Sequence, residues 1–155
     1  MNPKVLEIKG SLIREVASKR RETTIDLGLG EPSLMPAARH LQHAMDYVAK
    51  RGIKYSQNAG DPELREAIAH HYRYASLDRI ENVCVTTGSQ EAMYVALKTL
   101  LDPATDDLLV VEPAFPSYLK MARLEGAGVQ SVAMSATDDF GIDAERIVAG
   151  ITPRT

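Results

Sequence analysis

Six stretches of this chain repeat apolar residues at intervals of three and four, and three shorter runs are β-branched and continuous, so the order of these patterns lays out an architecture. Ser11 precedes Leu12, Ile13 and Val16, which share one helical face and predict a short amphipathic helix over 11–17. Leu41, Ala44, Met45 and Val48 predict a second helix over 37–51, with Pro36 in its first turn and Gly52 as its stop. Asp61-Pro62-Glu63-Leu64 is a start signal for a third helix, which carries Leu64, Ala67, Ile68 and Tyr72 and is expected to run to about Tyr74. From there strand and helix alternate. Val83–Thr87 predicts a strand, Ser89–Leu101 a helix, Asp107–Val111 a strand, Ser117–Glu125 a helix, Val129–Met134 a strand and Asp143–Ile151 a last helix. Such alternation implies a parallel α/β sheet, whose ligands sit beyond the carboxyl ends of the strands.

Two loops at such ends carry candidate chemistry. Thr86-Thr87-Gly88-Ser89-Gln90-Glu91-Ala92 places a glycine and a hydroxyl where a helix start follows a strand, a seat suited to a phosphate because unpaired amides and the positive end of the helix dipole meet there. The same residues also read as an N-cap (Ser89) and a turn glycine (Gly88), and local pattern alone does not separate the two. Glu112-Pro113-Ala114-Phe115-Pro116-Ser117-Tyr118 follows the second strand. Its prolines stiffen a loop in which Phe115, one of two Phe residues, either stacks on a planar ligand or packs inward. Tyr118 is expected to be structural. Ile25-Asp26-Leu27-Gly28-Leu29-Gly30-Glu31-Pro32 joins two glycines to a proline and predicts a loop that approaches something closely.

Composition narrows the possibilities. With 155 residues, 45% of them hydrophobic and 25% charged, the chain is of ordinary globular type and a packed core is expected. A net charge of -3 without a basic block gives no footprint for nucleic acid. No apolar run reaches the length of a membrane span or signal peptide, and the one cysteine, Cys84, reads as a small buried thiol. A soluble, cytoplasmic setting is expected, with no metal site. Neither Gly-x-Gly-x-x-Gly after a strand nor a Gly-Lys-Ser/Thr loop is present, which disfavours a nucleotide-binding domain.

Taken in order, Ile25–Pro32, Tyr55 with Gly60 and Leu64-Arg65, Thr87–Ala92 and Pro113–Tyr118 resemble the class I/II (fold type I) aminotransferases, which use pyridoxal 5'-phosphate. The resemblance covers about residues 11–135. It implies an α/β chain that is part of a three-layer α/β/α large domain with a mainly parallel sheet and an N-terminal helical arm. On that basis 1–35 would be the arm and substrate-side loop, and 36–155 an incomplete cofactor-binding domain. Gly88, Ser89 and Gln90 would hold the cofactor phosphate, Phe115 would stack on the pyridine, Tyr55 would reach the cofactor phosphate of a partner subunit, and Gly30 would lie beside the substrate carboxylate. Amino acid and 2-oxo acid substrates and a homodimer of the complete enzyme are implied with them.

The family's Schiff-base lysine has no counterpart. Lys4, Lys9, Lys19, Lys50, Lys54, Lys98 and Lys120 lack the Ser-rich context in which the family places it and are expected to be surface charges, and Arg154 is too early to be the family's substrate-carboxylate arginine. The chain therefore reads as a truncated transaminase, inactive alone. A non-catalytic fragment or split subunit that joins a complementary chain is an alternative reading. Another is a lyase or decarboxylase of the same fold. The resemblance also implies that the first two strands are not sheet neighbours, leaving open edges and a marginal or partner-dependent fold.

Overall fold

The computed structural model describes residues 3–6, 8, 10–28, 30–72 and 79–155. The chain divides into two compact units, one formed by Met1–Ser11 and Thr87–Thr155, the other by Leu12–Thr86.

In the first unit a four-residue helix, α1 (Pro3–Leu6), precedes a βαβ arrangement. Strand β1 (Asp107–Glu112) pairs in parallel with β2 (Gly128–Ala133), residue for residue from Asp107↔Gly128 to Glu112↔Ala133. The crossover between them is α6 (Ser117–Glu125), closed by Gly126 and buried through Ala122. Val110, Ala127, Val132 and Met134 complete the buried set of this unit, as the apolar run of β1 requires. Helix α5 (Gly88–Leu100) is tied to α6 by Lys98, whose ammonium lies 2.6 Å from Glu125. An apolar cavity of about 400 Å³ opens between Met93 and Leu97 of α5, Leu109 and Val111 of β1, and Tyr118 of α6. Helix α7 (Ala144–Ala149) is capped by Asp143, and its Arg146 donates to the Ala133 carbonyl at the end of β2.

The amino end of β1 is anchored by the end of the chain. Asp107 N–H donates to the Arg154 carbonyl at 2.7 Å, while its carboxylate accepts from the Arg154 guanidinium at 3.2 and 3.3 Å and from Gln130 at 3.1 Å.

The second unit holds α2 (Leu12–Ser18), α3 (Ala38–Arg51) and α4 (Pro62–His71). Asp61 caps α4 through the amides of Glu63 and Leu64 and accepts from the Tyr47 hydroxyl of α3 at 3.0 Å. Arg51 pairs with Glu63 and lies 4.8 Å over the Tyr47 ring. Arg65 of α4 donates to the carbonyls of Ile80 and Val83, which fixes the short 3-10 turn Ile80–Asn82 and the segment after it.

Five expectations are corrected. Val83–Thr87 is extended at Val83 (φ -114°, ψ 124°) but is not a strand: among the described residues β1 and β2 form the one ladder, and Val85 spends its N–H on the Ala59 carbonyl. Cys84 is exposed rather than buried, since no neighbouring strand shelters that face. Pro36 precedes α3 outside its first turn, because Ala37 is the N-cap. Thr87, not Ser89, occupies the N-cap of α5. The third helix ends at His71 with Tyr72 as its cap, and Tyr74 lies outside the described residues. The expected core is also thin, because the apolar faces of α2 and α3 contribute no buried residue.

Candidate functional site

The start of α5 is built from a backbone that only glycine adopts easily. Gly88 has φ +76°, and no atom lies within 4 Å of where a Cβ would stand, so the turn is open on that side. Thr87 offers no side-chain cap, and its own N–H is bonded to the carboxylate of Glu91 one turn on. Among the described residues no side chain accepts from the amides of Ser89 and Gln90 in the first helical turn, and both residues are exposed. Amides so placed, with the dipole of a 13-residue helix behind them and the Ser89 hydroxyl beside them, suit a phosphate dianion.

Phe115 stands on the loop between β1 and α6, 41% exposed, with its ring edge-on to Tyr118 at 5.8 Å and 78°. It is held by its loop rather than sunk in the core. A hydrogen bond joins the two segments: the Gln90 side-chain amide donates to the Ser117 hydroxyl at 3.0 Å. Gly88, Ser89, Gln90 and Phe115 thus fall in one unit around that contact. Tyr55 and Gly30 belong to the other unit. Tyr55 is fully exposed after α3, and Gly30 is an exposed turn at φ +67° with nothing near its missing Cβ.

Three lysines, Lys98 and Lys120 in this unit and Lys19 in the other, are engaged by protein oxygens. Glu125 holds the Lys98 ammonium above its ordinary pKa, first by hydrogen bonding and then by charge, and this favours the protonated form, not a nucleophilic amine. The Tyr94 hydroxyl is pushed up by the same carboxylate. Lys19 pairs with Glu15, and Lys120 donates to the Gly10 carbonyl. Arg154 is committed to Asp107, which raises the Arg154 pKa and holds Asp107 below the usual carboxylate range. Ser117 and the Asp107–Arg154 pair escaped the sequence reading, because partners 27 and 47 residues apart leave no local pattern.

A parallel βαβ unit with a glycine-opened helix and an aromatic loop at the strand's carboxyl end is an arrangement of the α/β class. Its family is established by comparison: residues 22–155 match the model for aminotransferase class I and II, and the chain belongs to that family. It is 32% identical to the aspartate aminotransferase of Pyrococcus horikoshii over 98% of this chain and 40% of that protein. To the arginine–pyruvate transaminase AruH of Pseudomonas aeruginosa it is 32% identical over 86% of this chain and 34% of that protein. Among solved structures, aspartate aminotransferase from Thermus thermophilus with maleate aligns with all of the chain at a TM-score of 0.85 and 33% identity, the chain covering 42% of it. The chain spans about two fifths of the length of the relatives it matches. Enzymes of this family depend on pyridoxal 5'-phosphate. The open Gly88 turn and the exposed Phe115 ring fit the phosphate and the pyridine of that cofactor. Among the described residues no helix is long and apolar enough to cross a membrane.

Proposed function

We propose that this chain contributes the phosphate and ring subsites of a pyridoxal-phosphate-dependent aminotransferase that moves an amino group between an amino acid and a 2-oxo acid. One observation carries the reading: uncapped amides at Ser89 and Gln90 are joined to the Phe115 loop through Ser117 within a single unit. Bound there, the cofactor would supply an electron sink for bond breaking at the substrate α-carbon. The backbone of Gly88–Gln90 and the Ser89 hydroxyl would hold its phosphate, and Phe115 would cover one face of its ring and exclude water from it. Gly30 is assigned to the substrate carboxylate side and Tyr55 to the phosphate of a partner subunit in a homodimer. Residues 1–35 would serve as arm and substrate-side loop, 36–155 as part of the cofactor-binding domain, and the setting as cytoplasmic. Glu125 holds Lys98 in its protonated form, and the family's Schiff-base lysine has no counterpart in the sequence, so covalent attachment of the cofactor is assigned to residues outside this chain.

The test compares pyridoxal 5'-phosphate with unphosphorylated pyridoxal. The phosphorylated form is expected to bind at least tenfold more tightly, Ser89→Asp is expected to abolish that difference, and borohydride is expected to leave no stoichiometric adduct at one lysine. Equal binding of both forms, or a Ser89→Asp chain that binds as before, refutes the assignment. A second reading, a module completed by a complementary polypeptide, is favoured by the exposed apolar faces of α2 and α3. It is compatible with the first.

A further inference from the structure

A rigid ligand with a phosphate at one end and a flat ring at the other needs two protein segments at a fixed separation, and this chain takes them from two different elements. The phosphate turn opens α5 and the ring platform precedes α6, with β1 between them in sequence. The Gln90–Ser117 hydrogen bond joins the two starts, and it lies two residues from Gly88 on one side and two from Phe115 on the other. Ser117, half-buried as the first residue of α6, is well placed to fix the height of the loop that Phe115 occupies. Tyr118 N–H donates to the Phe115 carbonyl at 3.1 Å, so a shift of Ser117 is passed to Phe115 through a closed turn.

We infer that Ser117 is a positioning residue: by accepting from Gln90 it sets the Phe115 ring in register with the phosphate turn, and it acts on ring recognition without acting on phosphate recognition. The inference rests on the cofactor assignment above.

The test uses two probes on the full chain, at a temperature where circular dichroism shows it folded: aldehyde-free pyridoxine 5'-phosphate, which needs both subsites, and inorganic phosphate, which needs the turn alone. Ser117→Ala is expected to weaken pyridoxine 5'-phosphate about three- to tenfold, the worth of one neutral hydrogen bond, and to reduce the induced circular dichroism of its ring band. Inorganic phosphate is expected to bind within about twofold of wild type. Ser117→Thr, which keeps the hydroxyl, is expected to restore both signals. Gln90→Met is expected to reproduce the loss, with the double variant no worse than either single one. Equal loss of both probes, or no loss of either, overturns the positioning role while leaving the cofactor assignment intact. A wild-type chain that binds neither probe overturns the assignment, and the positioning role falls with it.

Discussion

Isolating this polypeptide is the perturbation whose outcome the structure specifies most directly. The chain exposes 12944 Å². A folded monomer of 17.0 kDa is expected to expose about 7,700 Å² on the usual mass scaling, and two separate domains of half that mass about 9,300 Å² together. Even on the more generous count, about 3,600 Å² is exposed beyond what folded proteins of this size leave in water. An obligate interface buries about 2,000–5,000 Å² counted over both partners, so the excess on this one chain exceeds a usual half-share. Its composition points the same way, since Ile25, Leu27, Leu34, Met35 and Ile53 are each more than four-fifths exposed. In solution the chain alone is expected to bind a hydrophobic dye such as ANS. It should also show a mass that rises with concentration above the monomer value, and a broad unfolding transition below about 45 °C. Light scattering, dye fluorescence and calorimetry read these three signals. A dye-silent monomer with one cooperative transition above about 60 °C would refute the argument from exposed area.

Three further outcomes follow from individual residues. Gly60→Ala is expected to cost about 2–5 kcal/mol, because φ is +105° and the new Cβ would fall 2.7 Å from Val85 Cβ, whereas Gly88→Ala, with open space at φ +76°, is expected to cost only about 1–2 kcal/mol; native-state proteolysis orders the two, and a reversed order contradicts the packing at Val85. The Asp107 pKa is depressed chiefly by its hydrogen bonds to Arg154 and then Gln130, so its contribution is present above the unfolded value of about 3.9 and is lost as pH falls through the folded one. Asp107→Asn should therefore lower stability at neutral pH yet flatten the loss below about pH 4 in an acid titration, and an unchanged acid limb would count against the anchor. Glu91→Gln keeps a bond to the Thr87 amide while removing a negative charge from the phosphate turn, and should tighten inorganic phosphate about two- to fivefold at low salt, with no tightening if the carboxylate lies outside the field of the seat.

Much of this molecule could be read from its sequence because its helices announce their own ends. Asp61-Pro62 and Gly126 fix a start and a stop through bonds made within a few residues, and the predicted helices over 37–51 and 117–125 match α3 and α6 to within a residue. The strand expected at Val83–Thr87 failed for the opposite reason. β-branched residues set the extended backbone of Val83, but a strand also needs a partner, and partnership is not a local property. The burial of Cys84 was inferred from that strand and fell with it. At the candidate site the glycine turn and the aromatic loop were legible as separate motifs. Their connection through Gln90 and Ser117 was not, since it joins residues 27 apart.

The six residues of β1 span about 20 Å, with the Asp107–Arg154 pair at one extremity and the Phe115 loop beyond the other. At physiological ionic strength an exposed charge is felt over about 8 Å, so whatever happens at the anchored extremity is electrically silent at the opposite one. Robustness and recognition are thereby insulated along a single strand: drift in the arginine clamp alters how firmly the unit holds together, and leaves the chemistry of the loop free to vary on its own.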